Sequence, residues 1–168
     1  SSANSINWGR VLPQIVYYVS SYCDLLASGT IKEGQTVNVC VPTGNFGNIL
    51  AGYFAKKMGI PIGKLICASN KNKVLADFFE TGVYDMNRDF YTTDSPSMDI
   101  LLSSNFERFL FYVAKEDAAK VAKIALRIGE VIVGKVDGHF FSCLIRGRAS
   151  ERDRPGCWAL SQARGFMQ

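Results

Sequence analysis

Two clusters in the sequence carry residue types suited to holding an anion. The first is Pro42-Thr43-Gly44-Asn45-Phe46-Gly47-Asn48. Its two glycines, three apart, let a backbone bend tightly and approach a ligand closely. The N–H groups of such a turn, with those that open a following helix, form an anion cradle, and a phosphate is the natural guest. Thr43 and Asn48 add side-chain donors. The second cluster is Asn4-Ser5-Ile6-Asn7 with Arg10. Asn or Ser ahead of an apolar helix is first of all an N-cap. With an arginine within two turns, the same group is also an oxyanion binder. A glycine turn is equally common as a plain strand-to-helix connection, so spacing alone leaves both readings of both clusters open.

Other chemistry has little support. The turn lacks the GK[ST] ending of a P-loop and is not GxGxxG, which argues against ATP and NAD. The single histidine, His139, has no signature around it, and no nucleophile-and-base pair stands out. Five cysteines with no CxxC predict neither a zinc site nor a disulfide framework. Cys40 and Cys67 read as small buried hydrophobes, as a reducing, cytoplasmic compartment permits. Ser103-Ser104-Asn105 reads as the cap of the helix that follows. Phe106, Phe109, Leu110 and Phe111 read as core, and Lys56-Lys57 as a solvated helix face.

The elements that must position these residues follow from periodicity. Apolar residues recur at three and four over 7–27, which predicts a helix that Pro13 kinks or delays and Gly29 stops. The stretch 36–41 reads as a buried strand, 49–58 as a helix ended by Gly59 and Pro61, 64–68 as a second strand, and 72–79 as a helix closed by Gly82. This alternation predicts an α/β fold with a parallel sheet and crossover helices. Residues 85–96 read as loop, 98–102 are ambiguous, 105–113 and 116–128 read as helices, and 132–145 suggests short strands. The glycine turn therefore lies between a strand and a helix, and the Asn-Ser-Arg cluster opens the first helix.

With 168 residues, 48% apolar and 20% charged, the chain is long and apolar enough for one globular core. No apolar run is long enough for a membrane span, and no secretory signal is visible. The chain starts at Ser1 without a methionine, which raises the expectation of sequence upstream. Of the net charge of +4, three units fall in 146–168, where five arginines face Glu151 and Asp153. A nucleic-acid reading would rest on that tail alone. The tail reads more simply as solvated.

Several motifs in order resemble threonine synthase. They are Ser-Ala-Asn-Ser-Ile-Asn-Trp-Gly-Arg at 2–10, with Leu12-Pro13-Gln14-Ile15 and Tyr17-Tyr18, and the glycine turn through Ile49, with Ala51-Gly52 and Ala55-Lys56. ICASN at 66–70, Phe90-Tyr91-Thr92-Thr93, SPSMDI at 95–100 and Ser103-Ser104-Asn105 with Glu107-Arg108 complete the set. The resemblance covers about residues 1–113, weakens over 115–130 and is absent beyond about 131. It implies a tryptophan-synthase-β-like, fold type II enzyme that is incomplete here. The implied cofactor is pyridoxal 5′-phosphate. The implied reaction is a carbon–oxygen lyase step on a phosphate ester, turning O-phospho-L-homoserine and water into L-threonine and phosphate. By resemblance, Thr43, Gly44, Asn45, Phe46, Gly47 and Asn48 hold the cofactor phosphate, and Asn4, Ser5 and Arg10 grip the substrate phosphate.

The family's Schiff-base lysine sits in a Phe-Lys-Asp context that does not occur in this sequence. The substrate-carboxylate loop and the partner of the cofactor ring nitrogen are not found either. The expectation is an internal fragment, inactive alone. Residues 1–130 would form part of the catalytic domain, and 131–168 a divergent or poorly ordered segment. Expected partners are a small phosphorylated substrate, with no nucleic acid, membrane or metal. A threonine-synthase-like phospho-lyase with another substrate and a non-catalytic anion-binding module remain as alternatives.

Overall fold

The computed structural model describes residues 6–81 and 83–119, together with strand segments at 132–133, 141–145 and 157–159. Helix α1 (Trp8–Ala27) opens on Asn7, whose side-chain oxygen accepts from the Gly9 N–H at 2.9 Å. Of the polar residues ahead of this helix, Asn7 is the one seen to cap it. Pro13 lies in the second turn and the helix runs through it. The chain leaves α1 through Gly29, whose φ of +69° suits glycine. Val11, Ile15, Tyr18 and Tyr22 form the buried stripe of α1, at the spacing that one helix face requires.

Strand β1 (Val37–Pro42) feeds α2 (Gly47–Lys57), and β2 (Ile62–Ser69) returns parallel to β1, with Val41 opposite Cys67 and Pro42 opposite Ala68. Helix α3 (Val74–Thr81), β3 (Val83–Tyr84) and α4 (Phe106–Val113) follow. A short antiparallel pair joins β3 to β4 (Ile132–Val133). Strand β5 (Phe141–Ile145) pairs parallel with β2, and β6 (Cys157–Ala159) with β1, so the larger sheet runs β5-β2-β1-β6. This is the expected parallel α/β architecture. Strand β6 has no counterpart in the periodicity, because 157–159 lie in a stretch read as a solvated tail. The helix expected over 116–128 and His139 fall largely or wholly outside the described residues.

The core sits between sheet and helices. Ile49, Leu50, Leu65, Cys67 and Val41 are at most 1% exposed. Helix α2 is packed so closely that a Cβ on Gly52 would stand 2.7 Å from the Tyr18 ring and 2.9 Å from Leu65. This close approach draws α1 against the start of α2. An aromatic cluster fills the other side. Phe106 meets Phe78 at 4.8 Å edge-on, and Phe109 meets Tyr53 at 5.3 Å. Such pairs add to the burial of large rings. Among the described residues, no helix is long and apolar enough to cross a membrane.

Candidate anion site

The turn 42–47 leaves the C-terminal end of β1 and enters α2, where ligands of parallel α/β sheets typically bind. Phe46 stands at the helix start with φ +63° and ψ +6°, and no side chain caps α2. A left-handed phenylalanine is strained by about 1–3 kcal/mol and needs a strong anchor. The ring supplies it: Phe46 is 1% exposed and packs against Phe106 at 5.2 Å and Phe109 at 5.3 Å. Phe46 therefore lends backbone to the turn and its ring to the core. The first-turn N–H groups of α2 are left uncapped, as an anion-binding helix start requires.

The carbonyls of the turn are held from behind. Ser103 Oγ donates to the Gly44 carbonyl at 2.6 Å. The Asn105 side-chain amide and backbone N–H both donate to the Asn45 carbonyl at 3.1 Å. This corrects the expectation that Ser103-Ser104-Asn105 caps the next helix: Asn105 makes no side-chain cap to α4. Its oxygen accepts instead from Arg108 at 2.9 Å, and Arg108 also donates to the Ile6 carbonyl at 2.7 Å. Arg108 thus ties the start of α1 to the turn.

A third segment closes the site. Residues 91–100 cross the end of β2 and are anchored by Asp99. Its carboxylate accepts from Asn70 at 2.7 Å, Asn72 at 3.0 Å, and the Thr93 N–H and hydroxyl at 2.8 Å. Burial would raise the Asp99 carboxyl, but these donors outweigh it and hold it below the ordinary carboxylate range. The anchored loop lies directly on Gly44, where a Cβ would stand 3.0 Å from the Ser97 carbonyl and 3.3 Å from Met98 Cα. A side chain at 44 would force that backbone to give by a few tenths of an ångström, so the contact favours glycine. Asn70, Asn72, Thr93 and Asp99 carried no chemical signal in the sequence, because their partners lie up to 29 residues away.

Between these walls lies a cavity of about 130 Å³, lined by residues 42–49, Gln14, Ser97 and Met98. That exceeds the roughly 10–15 Å³ a single water needs, so a polyatomic group fits. The structure thus brings Thr43, Gly44, Asn45, Phe46, Gly47 and Asn48 to one cavity. Their side chains differ in role. The Thr43 hydroxyl donates to the Val41 carbonyl at 2.7 Å, which leaves it lone pairs rather than a proton to offer. Asn48 is exposed. Its carbonyl and side-chain oxygen lie 2.8 and 2.9 Å from the Tyr18 hydroxyl, whose single proton they share. Burial pushes the Tyr18 phenol up from its ordinary range, so it remains a donor even in alkaline solution.

The second cluster is only partly visible. Arg10 is exposed on the first turn of α1 and does not line this cavity. Asn4 and Ser5 lie outside the described residues. Lys56 departs from its expected solvated role. Half-buried in α2, it donates to the Gly63 carbonyl, and burial lowers its ammonium below the usual lysine range. Among the described residues, no group of His, Cys, Asp and Glu is placed to hold a metal ion.

No family model matches the chain. Individual proteins do. The chain is 61% identical over 118 residues to threonine synthase-like 1 of Mus musculus, covering 70% of this chain and 16% of that protein. It is 50% identical over 125 residues to threonine synthase of Methylobacillus glycogenes, covering 73% of this chain and 26% of that protein. A solved structure of PLP-bound threonine synthase from Brucella melitensis aligns with a TM-score of 0.74 and 41% identity, covering 86% of this chain and 32% of that one. The chain spans about a sixth to a quarter of the length of these curated relatives. Over that span it is threonine-synthase-like in sequence, and its parallel α/β fold is that of the aligned third of the solved threonine synthase.

Proposed function

We propose that this chain carries the cofactor-phosphate cradle of a pyridoxal 5′-phosphate-dependent, threonine-synthase-like lyase. The observation that carries the reading is the uncapped start of α2, reached through a turn whose Gly44 and Asn45 carbonyls are tied back by Ser103 and Asn105. The cavity in front of it is large enough for a phosphate group, and Gly44 lets the 97–98 backbone close against the turn that forms its wall. In this reading residues 43–48 hold the cofactor phosphate, with the backbone N–H groups of 44–48 as donors, since the Thr43 N–H donates to the Ala68 carbonyl. Thr43 and Phe46 shape the turn. Asn4, Ser5 and Arg10 take the phosphate of O-phospho-L-homoserine and stabilise its charge as it leaves. When bound, pyridoxal 5′-phosphate supplies the electron sink for carbanion chemistry on the amino acid. No lysine of this sequence sits in a Phe-Lys-Asp context. Turnover to L-threonine is therefore proposed for a polypeptide that supplies one, with residues 1–130 as part of its catalytic domain and 131–168 as a divergent segment. A cytoplasmic setting and a small-molecule substrate, with no nucleic acid or membrane, go with this reading.

One observation favours a second reading. Identity is higher to a relative named threonine synthase-like 1 than to one named threonine synthase, at 61% against 50%. A phospho-lyase with another phosphorylated substrate would share the same cradle. The test has two stages. The chain is titrated with pyridoxal 5′-phosphate and with pyridoxal, which lacks the phosphate. Clear preference for the phosphorylated form is expected, and equal affinity would refute the cradle. Phosphate release from O-phospho-L-homoserine, by a polypeptide that includes the lysine, then separates the two substrates.

A further inference from the structure

Helix α1 sends two polar side chains, Gln14 and Tyr18, toward the start of α2. They are four residues apart and so share one helix face. Tyr18 finds its partners there, in the Asn48 carbonyl and side-chain oxygen. Gln14 does not. It lines the cavity, and its Oε1 is buried without any hydrogen bond. A buried amide oxygen left unpaired is costly, and a residue kept there in spite of that cost needs a partner that the protein itself does not supply. Ser104 Oγ, also buried and unpaired, does not line the cavity. The neighbours of Gln14 on the buried stripe of α1, Val11 and Ile15, are apolar, so packing alone would have been met by a leucine or methionine.

We propose that Gln14 is a further ligand-binding residue of this site, donating a hydrogen bond to the phosphate monoester held by the turn 42–48. The inference rests on the cradle reading above. At neutral pH a phosphate monoester is close to dianionic and offers acceptors only. A half-turn about the last side-chain bond of Gln14 exchanges Oε1 for the Nε2 donor, which is the atom such a ligand takes. The hydrogen bond is charge-assisted on the ligand side while Gln14 itself stays neutral.

The experiment is equilibrium binding of pyridoxal 5′-phosphate, pyridoxal and inorganic phosphate to the full 168-residue chain and to three variants, each checked for its unfolding midpoint. Gln14→Met keeps length and helix propensity and removes the amide. About tenfold weaker binding of both phosphate-bearing probes is expected, with pyridoxal unchanged. Gln14→Glu turns an acceptor-only carboxylate toward the anion and is expected to bind more weakly still. Gly44→Ala presses on the Ser97–Met98 backbone, shifts the turn, and is expected to abolish phosphate binding. If the wild type binds phosphate and Gly44→Ala does not, yet Gln14→Met matches the wild type, the role of Gln14 is wrong and the cradle stands. Gln14→Glu binding as tightly as the wild type would show that Gln14 accepts from a ligand donor and overturn its contact with phosphate. A wild-type chain with no preference for phosphate-bearing probes overturns the cradle and Gln14 together.

Discussion

Phe46 is a place where fold and site place opposite demands on one residue, and the balance can be measured. Its ring is 1% exposed, and truncation to alanine is expected to cost about 3–5 kcal/mol. Its backbone is left-handed at φ +63°, which costs an L-residue about 1–2 kcal/mol. Glycine escapes that cost but loses about 0.5–1 kcal/mol through its freer unfolded chain. Phe46→Gly should therefore be more stable than Phe46→Ala by roughly 0.5–1 kcal/mol, although it buries one carbon fewer. Ala51→Gly, inside α2 and fully buried, provides the opposite sign: glycine should lose about 1 kcal/mol there. Urea unfolding followed by far-ultraviolet circular dichroism reads both differences. If Phe46→Ala proved equal to or more stable than Phe46→Gly, residue 46 would not be left-handed. The uncapped start of α2 would then lose its structural explanation.

Two further outcomes follow from the same geometry. Asn105→Ala removes one of the two donors to the Asn45 carbonyl and one of the partners of Arg108, which should cost about 1–3 kcal/mol and weaken phosphate binding; unchanged binding in a folded variant would show that the turn keeps its shape without this tie. Burial alone would raise the Asp77 carboxyl, but Lys73 at 2.9 Å and Arg88 at 2.6 Å outweigh it and set it below the ordinary range. A carboxylate depressed in the folded state contributes stability that is present above its unfolded pKa of about 3.9 and is lost as pH falls through the folded value. Asp77→Asn should flatten that acid limb in a pH series of unfolding midpoints, and an unchanged slope would place the acid sensitivity elsewhere.

Elements whose signal is local were legible in the sequence. The apolar stripe of α1, the glycine that stops it, the strand–turn–helix around 42–47 and the parallel alternation all follow from residues within a turn or two of each other, and all are present. Boundaries differ by at most two residues. Helix α2 begins at Gly47 rather than 49, because a left-handed Phe46 starts the helix earlier than periodicity alone suggests. Lys56 was misread because its partner, the Gly63 carbonyl, comes from the next strand, and a helix-face argument sees only the helix.

That a glycine turn ends a strand and opens a helix is written in neighbouring residues, since glycine spacing and apolar periodicity act over a few bonds. What the turn can do depends on residues that folding brings to it from far along the chain. The Ser103 hydroxyl reaches back 59 residues to the Gly44 carbonyl. The Asp99 network lays 91–100 over Gly44, and Gln14, which lines the cavity, keeps a buried oxygen unpaired. Hydrogen bonds act over about 3 Å, and no sequence spacing encodes which distant donors folding will bring within that reach.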